Sequence, residues 1–118
     1  MTPQARTPDD AGIATDEITP TQLFAVFADK RRQQALAYLS QRAAAVAIGD
    51  LAEYIAIAEE HPTHDRYERI CTDLYHSHLP HMRDLGLLTY DLETERVSLT
   101  VRRRILAPYL DLAGYPEA

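Results

Sequence analysis

His78-Leu79-Pro80-His81-Met82-Arg83-Asp84-Leu85-Gly86-Leu87-Leu88 is the stretch where the chain changes its hydrophobic period. Upstream, Tyr67, Ile70, Cys71, Leu74, Tyr75, His78, Leu79, Met82 and Leu85 recur at helical spacing. Downstream the period falls to two: Leu88, Tyr90 and Leu92 share a face, Glu93-Thr94-Glu95 is a polar tip, and Val97, Leu99 and Val101 alternate again. Gly86 suits the left-handed residue that closes a helix. A long helix over 65–85 therefore runs directly into a two-stranded β-hairpin. Asp65, with Glu68 three residues on, predicts a capping box at the start of that helix. Pro80 removes one N–H inside it and predicts a bend or split near His76 to His78.

Moving outward from this stretch, His61-Pro62-Thr63-His64 breaks the preceding helical pattern. Leu51, Ala52, Tyr54, Ile55 and Ala58 make a third helix ending near Glu60, and Val46-Ala47-Ile48 before it is a short β-prone piece. Asp29 reads as the N-cap of a second helix reaching about Ser40, and Thr19-Pro20 as the start of a first, with Leu23, Phe24 and Phe27 on its apolar face. After the hairpin, 102–112 returns to helix around Pro108. Residues 1–18 mix prolines, glycine, threonines and acids without period and read as a disordered acidic tail. The domain is then 19–113, with a short tail at 114–118. The fold class is mainly α with a small β-hairpin.

The chain's 118 residues suffice for one domain with one core. No apolar run approaches the ~18 residues of a membrane span. The N-terminus lacks the apolar core of an export signal, and the lone Cys71 excludes an internal disulfide, so a cytoplasmic location is expected. Four scattered glycines form no phosphate cradle, and neither GxSxG nor CxxC occurs, so neither an enzyme nor a cofactor is expected. His76, His78 and His81 match no zinc signature, since His76 and His78 diverge by about 200° on one helix. No metal is expected. Twelve basic residues face eighteen acidic ones, for a net charge of −6, and Lys30 is the single lysine. Acidic excess with lysine nearly absent points to a salt-adapted proteome.

The 78–88 stretch resembles the "HL-x-x-L-x-x-x-G-L-V" end of the recognition helix in ArsR-like regulators, with Met82 replacing the second leucine. Asp50-Leu51-Ala52-Glu53-Tyr54-Ile55 is similar to that family's "xLAxxL" support helix, and Lys30 to Leu39 to its "xxRRxxILxxL" helix. The combination looks closest to haloarchaeal winged-helix proteins of unknown function. The resemblance covers about residues 20–101. It implies a winged helix-turn-helix and a dimeric, DNA-binding transcription regulator. The segment from Glu59 to Thr72 is longer than the family's tight turn, and the metal-binding cysteines of its metal sensors are missing, so no sensing role follows.

Groove binding needs a helix that buries one face and shows the other. With Leu74, Tyr75, Leu79 and Met82 inward, the outward residues are Asp73, His76, Ser77, Pro80 and Arg83. The resemblance puts His76 and Ser77 where bases are touched, and both can hydrogen-bond base edges. Arg66 and Arg69 are placed to grip phosphates near the helix start, and Arg96 is the one basic contact beside an acidic hairpin tip. The expected DNA-binding set is thus Arg66, Arg69, Asp73, His76, Ser77, Arg83 and Arg96. At −6 net charge, groove fit rather than charge neutralisation is expected to carry affinity.

Two arginine clusters stand apart from this set. Lys30-Arg31-Arg32 occupies a first helical turn, where positive charge is unfavourable, and calls for a phosphate or an acidic partner. Arg102-Arg103-Arg104 suits phosphates or, preferably, acids across a dimer. Leu23, Phe24, Phe27, Ile105, Leu106, Tyr109 and Leu110 exceed what a small core needs and predict a homodimer through the flanking helices 20–28 and 102–113. The acidic tip and net charge favour a rival: a protein-interaction module on the same scaffold that has lost DNA binding.

Overall fold

The computed structural model describes residues 18–115. Most of the expected 1–18 tail, and 116–118 of the C-terminal one, lie outside the described residues. Ile18 and Tyr115, at the two ends of the described chain, pack against the core.

Helix α1 (Pro20–Val26) opens with a capping box in which Thr19 and Gln22 exchange side-chain-to-backbone hydrogen bonds. Helix α2 (Lys30–Ser40) is capped by Asp29, whose carboxylate accepts from the backbone N–H of Arg31 and Arg32. Strand β1 (Val46–Ala47) leads into α3 (Ile48–Ala58), which starts three residues before the first apolar residue of its periodic run, Leu51. Glu60 closes α3 in the left-handed region (φ 63°), with His61 N–H donating to Ala56 O and Glu60 N–H to Ile57 O.

Helix α4 (His64–Asp73) corrects the expected capping box. Thr63 is the N-cap, its hydroxyl accepting from Arg66 N–H at 3.2 Å. Asp65 lies inside the first turn instead, and Glu68 meets His64 at 3.2 Å. Pro62 restrains the residue before it and leaves Thr63 free to begin the helix.

The distortion expected near Pro80 is a π-helical turn at Leu74–His78, followed by α5 (Leu79–Asp84). Side chains five residues apart on a uniform α-helix point about 140° away from each other. The wider turn, in which Leu79 N–H donates to Leu74 O, brings both leucines into the core with no exposed surface. Burying each contributes about 1.5–3 kcal/mol, which outweighs the weakened helical bonding at about 0.5–1.5 kcal/mol per bond. Gly86 (φ 82°) then closes α5, with Leu87 N–H reaching Met82 O.

Strands β2 (Leu88–Asp91) and β3 (Arg96–Leu99) form the hairpin, pairing Leu88 with Leu99 and Tyr90 with Val97. The sheet has three strands rather than two, because β1 adds to β3 in the order β1-β3-β2, all antiparallel. Ile48 N–H donates to Glu95 O, tying the hairpin tip to the start of α3. The last helix, α6 (Arg103–Leu112), contains Pro108 and ends at Gly114 (φ 94°). Its Tyr109 ring meets Phe24 at 5.0 Å and Phe27 at 5.7 Å. The protein is mainly helical with a small antiparallel sheet.

The cap assignment is testable by urea melts. Thr63→Ala should lower stability by about 1 kcal/mol. Asp65→Ala, which loses only a favourable charge near the helix start, should cost less. The reverse order would contradict the assignment.

Candidate nucleic-acid interface

The outer side of α4 and the π turn is a ridge between two depressions. Toward α2, Arg31, Arg66, Glu68, Arg69, Thr72 and Asp73 line one of them. Toward the hairpin, Tyr67, Cys71, Tyr75 and His76 face Tyr90, Leu92 and Glu95 across a groove of about 780 Å³.

Arg31 explains the first side. Its guanidinium makes a two-point fork with Glu59 at 2.6 and 3.1 Å and also reaches Asp73 at 2.5 Å. Glu59 takes a further bond from Arg66 at 2.7 Å. The fork holds the Glu59 carboxyl below its usual range, chiefly through the Arg31 hydrogen bond, and raises Arg31 through the same bond. The cluster in the first turn of α2 thus finds its acidic partners within the chain. Arg32 donates to the carbonyls of Val26 and Ala25 at the end of α1, and Lys30 lies 5.8 Å from the Tyr115 ring centre.

The seven expected site residues fall into separate groups. Arg66 and Asp73 are half-buried and occupied by Glu59 and Arg31. Arg69 is exposed and has no ion pair or hydrogen bond among the described residues. His76 and Ser77 are exposed about two turns further on. Arg83 sits at the end of α5, donating to the Tyr90 hydroxyl at 2.9 Å and lying 3.4 Å from Asp84. Arg96 points toward the loop before β1 and donates to Ala45 O. The structure keeps Arg69, His76 and Ser77 exposed on the ridge, ties Arg83 to Tyr90 on the far wall of the groove that His76 lines, and turns Arg96 to the loop before β1. Arg31, Glu59 and the three groove tyrosines lie outside the expected set. The unfavourably placed Arg31 is the one sequence signal for the network.

His78, the last residue of the π turn, is buried, with Nδ1 unpartnered and Nε2 3.9 Å from the Asp29 carboxylate. Burial pushes its pKa below the usual histidine value, against the opposing pull of Asp29. Burial likewise raises the Cys71 thiol, which keeps it protonated. Among the described residues, no three His, Cys, Asp or Glu side chains gather as metal ligands. Nor is any helix among them long and apolar enough to cross a membrane.

Six helices and a three-stranded sheet among the described residues, with an exposed helical ridge beside a hairpin, define a small mainly helical domain with a polar, mixed-charge surface. The chain belongs to the family described as a domain of unknown function (DUF7344), which matches residues 24–98. That match runs from within α1 to within β3 and leaves α6 outside. No curated protein and no solved structure matches the chain.

The buried histidine sets a pH dependence. A histidine whose folded pKa is lowered contributes stability that is complete above its unfolded value of 6.5 and is lost as pH falls through the folded value. Stability should therefore decline below about pH 6.5, and His78→Leu should remove that part of the decline. An identical pH profile for the two proteins in thermal melts would contradict it.

Proposed function

We propose that the protein is a winged helix-turn-helix transcription regulator that binds duplex DNA as a homodimer. In this reading α3 supports α4, the ridge of α4 and the π turn enters the major groove, and the β2–β3 hairpin is the wing. The observation that carries it is the exposed run Arg69, His76, Ser77 on a helix whose other face is fully packed. The element order α2-β1-α3-α4-hairpin and the β1-β3-β2 sheet are compatible with that architecture. Arg69 supplies a phosphate contact, and His76 and Ser77 supply base-edge hydrogen bonds.

A second reading, the protein-interaction module, is favoured by one feature. The groove beside the ridge carries Glu68 and Glu95, with Tyr67, Tyr75, Tyr90 and the exposed Leu92, a lining that repels phosphate and suits a polypeptide. Duplex binding separates the two. Arg69→Ala should weaken binding to all sequences alike. His76→Ala or Ser77→Ala should relax the choice among sequences, by about 1–3 kcal/mol for each base-edge hydrogen bond removed. Fluorescence anisotropy on DNA enriched from cells that express the protein measures both. Absence of any preference over random duplex would transfer the function to the second reading.

The homodimer is proposed through α1 and α6. Leu23, Phe27, Leu106 and Leu110 are consumed by the chain's own core and Ile105 and Tyr109 are half-buried, so Phe24 (57% exposed) remains of the expected surplus, and Leu112 (76% exposed), outside that set, joins it. Both line one shallow depression with Phe27, Tyr109 and Ala113. Phe24→Asp with Leu112→Asp should halve the mass in solution, since both side chains are mostly exposed in the single chain, where Phe24 touches the Tyr109 ring. An unchanged mass by light scattering would overturn dimerisation through these helices.

A further inference from the structure

The arginines of this acidic chain are sorted by partner. Arg31, Arg66 and Arg83 each meet a carboxylate. Two others converge instead on the backbone of the 40–45 segment between α2 and β1, where a third, Arg42, itself resides. Arg103 donates to Ser40 O at 2.7 Å and to Arg42 O, Arg96 donates to Ala45 O at 3.4 Å, and Arg42 itself stacks 4.2 Å over the Tyr38 ring. Residues 41–45 are all exposed, as are Arg96, Arg103 and the adjacent Arg104. None of Arg42, Arg96, Arg103 and Arg104 has an ion pair among the described residues.

We infer that this face, formed by the 40–45 loop, the start of β3 and the start of α6, binds the phosphates of a nucleic-acid backbone. The inference rests on the DNA-binding reading and deepens it by assigning further phosphate contacts, beside that of Arg69, to a face that the ridge of α4 does not include. Carbonyl and ring partners fix the guanidinium groups in place without neutralising them, so each keeps its charge and free N–H donors for an anion. Arginines gathered around one exposed loop without ion-pair partners repel one another. A polyanion with regularly spaced charges relieves that repulsion at several arginines at once, and counterion release from it adds to affinity. The total charge of −6 hides this, since binding responds to the local field and not to the sum. An acidic polypeptide is the competing partner, and the test includes it.

The test uses the full chain and a fluorescein-labelled duplex titrated over a series of potassium chloride concentrations. Arg42→Gln with Arg103→Gln removes two charges while keeping a polar amide at each position. Arg42→Lys with Arg103→Lys keeps both charges. The glutamine pair should weaken every duplex alike and reduce the slope of log affinity against log salt by about 1.8, at about 0.9 per phosphate contact. The lysine pair should restore the slope, which a purely structural role for these arginines would not do. An unchanged slope in the glutamine pair, while Ser77→Ala still relaxes sequence choice, overturns this assignment and leaves the regulator reading standing. A patch-dependent slope without any sequence preference does the opposite. Polyglutamate that displaces the duplex from the wild type at equal charge concentration, and loses its hold in the glutamine pair, assigns the face to an acidic protein and overturns the inference.

Discussion

The guanidinium of Arg31 joins three helices. It leaves the first turn of α2, forks onto Glu59 just after α3, and reaches Asp73 at the end of α4. Glu59 in turn holds Arg66 in the first turn of α4. Half-buried charges lose solvation, and that loss is offset only when each finds several short, well-directed bonds. Glu59 receives three such bonds, with its side chain 16% exposed. The network therefore fixes where α4 begins and ends relative to α2 and α3. It also pairs Arg66 and Asp73 with charges of the chain itself. The helix is held by charges that a simple reading would assign to DNA.

Downstream of that anchor, the helical segment must deliver a hairpin at a defined angle. The π turn rephases the apolar side chains so that Leu74 and Leu79 both enter the core, and Pro80, which has no N–H to satisfy, sits immediately after it. Gly86 reverses the chain, and Thr100 closes the base of the hairpin through its hydroxyl to Gly86 O at 2.8 Å. At the other end the bond from Ile48 N–H to Glu95 O fixes the tip to α3. The hairpin is thus held by hydrogen bonds at both ends, to the start of α3 at its tip and to the end of α5 at its base.

Features that depend on local chemistry are legible in the sequence. Thr19 and Asp29 as caps, Gly86 as a helix end, the hairpin and the disturbance before Pro80 each follow from one to four neighbouring residues. Thr63 and Asp65 are both competent caps two residues apart, and only the path of the chain after Pro62 selects Thr63. Strand β1 falls on the β-prone Val46 and Ala47, but its partners, Val97 and Arg96, have no local signal. Counting apolar residues overstates the surplus of the flanking helices, because α1 and α6 bury most of it against each other and the core. Of the candidate site, exposure of His76 and Ser77 follows from helical phase. The occupation of Arg66 by Glu59, and the gathering of Arg42, Arg96 and Arg103 on one loop, depend on tertiary pairing across 7 to 63 residues of sequence.

Charge in this protein is organised rather than merely acidic. Carboxylates satisfy the arginines that hold helices together and line the groove beside the hairpin, while the loop before β1 gathers arginines without them. Such a division suits a molecule that orients one face toward a polyanion while repelling it elsewhere. Crosslinking the protein to DNA in the cells that natively express it, followed by sequencing of the recovered fragments, tests the central claim most directly. The account predicts discrete enriched sites that share a sequence motif and that disperse when Ser77 is replaced by Ala. Recovery no greater than that of an untagged control, across the whole genome, would contradict it.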